Sequence, residues 1–206
     1  MERNIALQRL QSLKGQDLHR LAEEYQVTVT RNGKVNKGWA GHVIERFLGL
    51  PINSAQSPNF GSWELKSIPL ARKKNGELRF KETMAVTMID EYNVKETSFE
   101  DSHLHAKLKK FICVARIVGN SYIEPTYIHS ITPFDLSDEL YHDIKADYNL
   151  IRDYLLDPNK GFNALTGKMG KYIQPRTKGA GHGSKTRAFY ARPLFLTQFI
   201  NLKEDK

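Results

Sequence analysis

Two residues in one short run have the types and spacing to act on a phosphodiester. Glu64 and Lys66 lie within Trp63-Glu64-Leu65-Lys66-Ser67-Ile68-Pro69. On a strand, residues two apart point to the same face. A carboxylate there is a natural ligand for Mg²⁺, a hard ion that prefers oxygen. A lysine beside it can orient an attacking water or stabilise charge building on the phosphate. The same pair on an exposed strand is only an ion pair, worth at most about 1 kcal/mol. The surrounding residues therefore have to decide between the two readings.

A second informative stretch is basic. From Lys160 to Arg192 the chain carries Lys160, Lys168, Lys171, Arg176, Lys178, Lys185, Arg187 and Arg192, with no Asp or Glu. Six glycines lie among them, at 161, 167, 170, 179, 181 and 183. Glycine lets backbone run close to a phosphate chain. Arg176, Lys178, Lys185 and Arg187 are placed to reach phosphates or base edges, and arginine to guanine is the commonest specific contact. His182, in Gly181-His182-Gly183, either reads a base or sits in a turn. Alternation along Arg187-Ala188-Phe189-Tyr190 sends Phe189 and Tyr190 to opposite faces, so one packs and the other can meet a ligand.

The chain has 206 residues, 40% hydrophobic and 10% aromatic, enough for one substantial domain or two lobes about a cleft. Disordered and collagen-like classes are excluded by that composition. The net charge of +8 makes a polyanion the first candidate partner. The single cysteine, Cys113, excludes an internal disulfide and reads as a small core residue within Phe111-Ile112-Cys113-Val114-Ala115. No apolar run is long enough to cross a bilayer, and the N-terminus shows no secretory core, so a reducing, cytoplasmic setting is expected.

The hydrophobic spacing supplies the elements. Two short helices are expected over 5–25, parted by Gly15, then an Asn32-Gly33 turn and a helix over 38–48. Residues 51–61 read as a loop. A strand over 63–70 turns at Asn75-Gly76 into a second strand over about 79–90. Residues 98–110 read as helical, 111–118 as a strand and 121–134 as extended. Leu140, Ile144, Tyr148, Ile151 and Leu155 mark a helix over 138–156, capped by Asp135 or Ser137 and stopped by Asp157-Pro158. A short helix over 193–202 closes the chain. The fold class is α/β (α+β).

Pro58-Asn59 followed by Glu64-x-Lys66 resembles the Pro-Asp…Glu-x-Lys site of restriction-endonuclease-like nucleases, with Asn in place of Asp. Glu64-Leu65-Lys66-Ser67-Ile68-Pro69 is similar to the signature of the MutH family, which joins mismatch-repair endonucleases with GATC-cutting restriction enzymes. Four further segments match in order. Lys37-Gly38-Trp39-Ala40-Gly41 through Glu45 resembles the family's first helix, its Lys and Glu eight apart. Phe99-Glu100-Asp101-Ser102-His103 running to Lys107-Leu108-Lys109-Lys110 resembles its His-Lys-Leu-Lys segment, with Ala106 where the histidine is expected. Tyr172-Ile173-Gln174 with Arg176 and Lys178 resembles its basic specificity region, and Arg187-Ala188-Phe189-Tyr190 its final DNA-reading strand.

The resemblance implies a restriction-endonuclease-like core, a mixed β-sheet flanked by helices, with two lobes around a DNA cleft. The catalytic motif would lie in an N-terminal lobe of about 1–110 and the reading segments in a C-terminal lobe of about 111–206. It implies Mg²⁺-dependent hydrolysis of double-stranded DNA leaving a 5′-phosphate. Glu64 and position 59 would hold the metal, Lys66 would be the catalytic lysine, Lys37 and Glu45 accessory groups, and Lys107 a neighbour of the scissile phosphate. Arg176, Lys178, His182, Lys185, Arg187 and Tyr190 would bind DNA. His103 and His105 are expected to be surface groups. A methyltransferase of the same system is a possible partner, and no membrane or small-molecule cofactor is implied.

Asn59 removes one full charge from the metal site, which weakens divalent-ion binding steeply. Three accounts stand open. The chain is an engineered Asp-to-Asn variant that binds DNA uncut, or a naturally silent DNA-binding module, or a slow enzyme in which Glu45 or substrate phosphate supplies the missing charge. A restriction-type endonuclease is the first reading; a mismatch-repair nicking enzyme and the silent module are the alternatives.

Overall fold

The computed structural model describes residues 1–50, 58, 60–119, 121–179 and 185–203. Asn59 and His182 therefore lie outside the described residues. The elements run α1 (Arg3–Gln11), α2 (Leu18–Glu24), β1 (Thr30–Arg31), β2 (Lys34–Val35), α3 (Trp39–Phe47), β3 (Glu64–Arg72), β4 (Leu78–Phe80), β5 (Met84–Met88), α4 (Glu91–Glu96), α5 (His103–Leu108), β6 (Lys110–Ile117), β7 (Tyr127–Asp135), α6 (Asp138–Leu156), β8 (Ile173–Thr177), β9 (Arg187–Ala191) and α7 (Pro193–Leu196).

The central sheet has the order β4-β3-β6-β7. β3 and β6 are parallel, and the two outer pairs are antiparallel, so the sheet is mixed. Parallel neighbours need a crossover, and here β4, β5, α4 and α5 supply it. A second, antiparallel sheet has the order β5-β9-β8. The β3–β6 pair joins residues from both sides of position 110, with Glu64 opposite Phe111 and Lys66 opposite Cys113.

Alternation along β3 and β6 divides the interior into two cores. Leu65, Ile112 and Val114 face α1, α2 and α3, packing with Leu10, Trp39, Val43 and Ile44. Ile68, Leu70, Phe111 and Cys113 face the other way, onto α4–α7 and the second sheet. Glu64 and Lys66 share the second face by their two-residue spacing. That places the charged pair between the two sheets rather than on an open surface.

Cys113 is fully buried, and burial pushes its thiol up to about 12. The thiolate is the reactive form. A thiol reagent at about pH 8 is expected to label the folded chain at no more than ~1% of the rate for the denatured chain. Labelling of both at similar rates would show that this core is open.

Several boundaries differ from the spacing-based expectation. The strand expected over 79–90 is two strands in two sheets. The chain leaves the first ladder after the Lys81 N–H donates to the Pro69 carbonyl at 3.0 Å. Met84 and Val86 then pack in the core shared with β9. The helix expected over 98–110 is confined to α5, and α4 precedes it. α4 carries little periodicity because only Val94 is buried; its start is fixed by Asp90, whose side chain accepts from the Asn93 N–H. The extended segment expected over 121–134 is regular only from Tyr127, and the closing helix ends at Leu196.

Candidate active site and nucleic-acid interface

Glu64 begins β3 and is 2% exposed. A buried carboxylate needs partners, because an unpaired one costs several kcal/mol in a low-dielectric interior (roughly, after relaxation). Two lysines provide them. The Lys66 Nζ donates to Glu64 Oε1 at 2.7 Å, and the Lys107 Nζ donates to the same oxygen at 3.3 Å. Lys107 comes from α5, whose start is set by the Ser102 side chain accepting from the His105 N–H. Leu104 and Leu108 bury on the same helix, which turns Lys107 inward to 7% exposure. Lys107, which the resemblance sets near a scissile phosphate, stands in this structure beside the Glu64–Lys66 pair.

A third partner is a backbone carbonyl. Between Ala85 and Thr87 the β5–β9 register shifts, so Val86 is the extra residue of a bulge. The Lys66 Nζ donates to the Val86 carbonyl at 3.0 Å. The second sheet thereby holds the lysine of the first. Burial pushes the Lys66 ammonium down; Glu64 opposes this, while the charges of Lys107 and Lys178 add to it.

Lys178 follows β8 and is the residue by which the basic region meets the pair. Its N–H donates to the Thr186 carbonyl at 3.0 Å, closing the base of the β8–β9 hairpin. Partial desolvation and the Lys107 charge both lower its pKa. Among the described residues, Lys66 and Lys107 bond Glu64, and Lys178 is close enough to act electrostatically on both lysines. Such a cluster attracts an anion such as phosphate. Glu64 is a fitting hard-oxygen ligand for a divalent cation, and the lysines beside it oppose that cation's charge. Among the described residues, no group of three His, Cys, Asp or Glu converges.

The remaining sequence candidates fall at different places. Lys37 is exposed at the start of α3 and Glu45 is partly buried on it. α3 packs through Trp39, Ala40, Val43 and Ile44 on the face of β3 opposite to Glu64 and Lys66. His105 is a packing group rather than a free base: its ring lies 4.9 Å from Phe99 and 5.7 Å from Tyr141, and Nδ1 pairs with the Glu100 carbonyl at 2.9 Å.

Arg176 is exposed on β8; its Nη1 donates to Thr83 Oγ1 at 3.1 Å, and its guanidinium lies 5.8 Å from the Tyr190 ring centre. Phe189 is buried in the core while Tyr190 stands on the other face beside Arg176, as alternation requires. Lys185 is exposed. Arg187 is 8% exposed, donates to the Asn163 carbonyl at 2.8 Å and stacks over Phe162. It is turned into the fold, unlike Arg176.

Sequence reasoning missed the Val86 carbonyl, which leaves no side-chain signal. It also missed Asp147, a carboxylate lying in the buried stripe of α6 between Ile144 and Tyr148. That break in an otherwise apolar stripe is visible in the sequence.

Comparison with known proteins adds to this geometry. The family model described as "MutH: DNA mismatch repair enzyme MutH" matches residues 48–147, a span that contains Glu64, Lys66 and Lys107. A protein named DNA mismatch repair protein MutH from Haemophilus influenzae (strain PittGG) is 26% identical, over 95% of this chain and 92% of that protein. The protein of the same name from Pectobacterium atrosepticum is 28% identical, over 91% of this chain and 81% of its own length. That from Vibrio campbellii is 27% identical, over 89% and 80%.

Proposed function

This chain belongs to the MutH family of restriction-endonuclease-like nucleases, and we propose from that premise that it is a metal-dependent, sequence-specific endonuclease of double-stranded DNA. The observation that carries the proposal is the buried Glu64 carboxylate held by Lys66 and Lys107 at one end of β3. The two lysines satisfy a buried carboxylate and at the same time gather positive charge beside a basic hairpin. Phosphodiester hydrolysis does need a cation ligand and positive groups at the reacting phosphate.

In this reading Glu64, with position 59, would hold Mg²⁺. The bound ion would supply Lewis-acid charge neutralisation at the phosphate. Lys66, fixed by Glu64 and Val86, presents its ammonium to the attacking water and the phosphate oxygen. Lys107 holds the carboxylate in place and faces the same phosphate. Water adds at phosphorus, the bond to the 3′ oxygen breaks, and that oxygen takes up a proton, leaving a 5′-phosphate. Arg176, with Tyr190 supporting its guanidinium, reads base edges. Lys178 joins the reading hairpin to the reacting phosphate, and Lys185 and His182 contact the same duplex. The chain works in the cytoplasm.

We favour a restriction-type enzyme with a GATC-like site and a companion methyltransferase. Asn59 and Glu64 are only five positions apart, closer than in the mismatch-repair branch. The printed names of the relatives favour a second reading, a nicking enzyme of mismatch repair. Supercoiled plasmid incubated with Mg²⁺ separates them. Linear product without any added protein supports the restriction reading. Nicked circles that need added repair proteins support the second, and intact plasmid with retained sequence-specific binding supports the silent module.

Arg176→Ala is expected to weaken cognate binding by about 1–3 kcal/mol and to narrow the gap to non-cognate DNA. Lys168→Ala, at an exposed loop position, should weaken all duplexes alike. Competition gel-shifts on both variants check this. Unchanged discrimination in Arg176→Ala would remove that residue from the reading set.

A further inference from the structure

The segment from Gly167 to Ile173 is gripped from two sides. Asp147, on α6 and 5% exposed, accepts the backbone N–H groups of Lys171, Tyr172 and Ile173 at 2.6, 2.7 and 2.8 Å. Arg192, just after β9, donates to the carbonyls of Gly167, Met169 and Gly170 at 2.6, 3.0 and 3.0 Å. Its own N–H donates to the Tyr172 carbonyl at 2.8 Å. Three donors are thus satisfied by one buried carboxylate and three acceptors by one guanidinium. Charge-assisted bonds of this kind are roughly twice as strong as neutral ones.

The grip has a visible target. A Cβ at Gly167 would stand 3.4 Å from the Arg176 Cγ and 3.1 Å from the Gln174 Oε1. The gripped backbone therefore lies directly against the root of the Arg176 side chain. Gly170 completes the shape: it has φ +77°, and a Cβ there would meet the Ile173 carbonyl at 1.8 Å. A positive φ with that approach admits only glycine. An exposed, unsupported loop would not need a buried carboxylate and a half-buried guanidinium to fix its path.

We propose that Asp147 and Arg192 are positioning residues for sequence reading. They set the loop 167–170 against the stem of Arg176 and so fix where its guanidinium meets a base edge. This deepens the DNA-endonuclease reading and rests on it. Both act through the loop, since their side chains are spent on its backbone. Base readout depends on register to a fraction of an ångström, whereas phosphate attraction does not. Loss of the grip should therefore damage discrimination far more than bulk affinity.

The test uses the full chain and a randomised duplex pool. Enrichment of the preferred site is read by sequencing the bound fraction, and affinity for bulk DNA and the unfolding midpoint are measured on the same samples. Asp147→Asn removes one anionic oxygen, and Arg192→Lys keeps the charge but loses the fork. Gly167→Ala leaves both partners in place and crowds only Gln174 and Arg176; it decides alone if the other two fail to fold. Site enrichment is expected to fall about tenfold in each folded variant, with bulk affinity within about twofold. Unchanged enrichment overturns the proposal, and so does a parallel fall in enrichment and bulk affinity, which is what a general scaffold role would give. If the parent chain itself enriches no site, sequence reading is absent and the functional reading falls together with this one. If the parent enriches a site and the variants do so equally, only the positioning role is lost.

Discussion

Lys66→Met, in a chain that cleaves, is expected to lower the cleavage rate by about a hundredfold to a thousandfold while leaving duplex affinity within about twofold. The geometry argues for a large effect on rate. Lys66 is pinned by Glu64 at 2.7 Å and by the Val86 carbonyl at 3.0 Å, so its ammonium is fixed before any substrate arrives. A preorganised charge in a water-poor site acts on the transition state without reorganisation. Affinity is spread over many exposed lysines and arginines, so one lysine already paired within the fold contributes little to it. Methionine keeps the stem volume, and Lys107 remains to partner Glu64. Cleavage measured under single turnover, beside a gel-shift on the same duplex, checks both halves.

Asn59→Asp is the second change with a large expected effect, in the opposite direction. Among the described residues, Lys66 and Lys107 bond the Glu64 carboxylate and Lys178 adds positive charge nearby. A second carboxylate adds a full negative charge where a divalent cation must sit. Even in screened surroundings the Coulomb gain at ligand distance is worth several kcal/mol, about 4 kcal/mol for unit charges 4 Å apart at an effective dielectric of 20. Cleavage in about 1–10 mM Mg²⁺, an ordinary range for weakly held ions, is expected to rise by at least about tenfold. The Mg²⁺ concentration giving half-maximal rate should fall in step. If the rate and the Mg²⁺ dependence are unchanged, position 59 does not supply a needed charge.

Local periodicity carried much of the fold. α6 runs over Asp138–Leu156 with Ser137 as its cap, because five apolar residues at helical spacing and a stop at Asp157-Pro158 leave little choice. The shared face of Glu64 and Lys66 followed from the strand repeat, and the placement of Lys107 followed from a family resemblance. What stayed hidden depends on contacts distant in sequence. The change of sheet between β4 and β5 is set by packing on β9, over a hundred residues later in the chain. The Val86 bulge is a backbone event with no residue signature. Arg192 and Arg187 looked like members of one basic surface, yet the first grips a loop and the second turns onto Asn163. Charge counting cannot tell an arginine that spends its donors on carbonyls from one held out to a ligand.

We propose that Glu64, Lys66 and Lys107 form a metal-dependent cleavage centre whose loss leaves sequence reading in place. The most direct measurement compares Asn59→Asp with Asn59→Asp/Glu64→Gln on one plasmid, in Mg²⁺ and in EDTA, with binding to the same site measured in parallel. The account predicts cutting by the first only, abolished by EDTA, and site binding by both. Cutting that survives Glu64→Gln, or cutting and binding lost together, would contradict it.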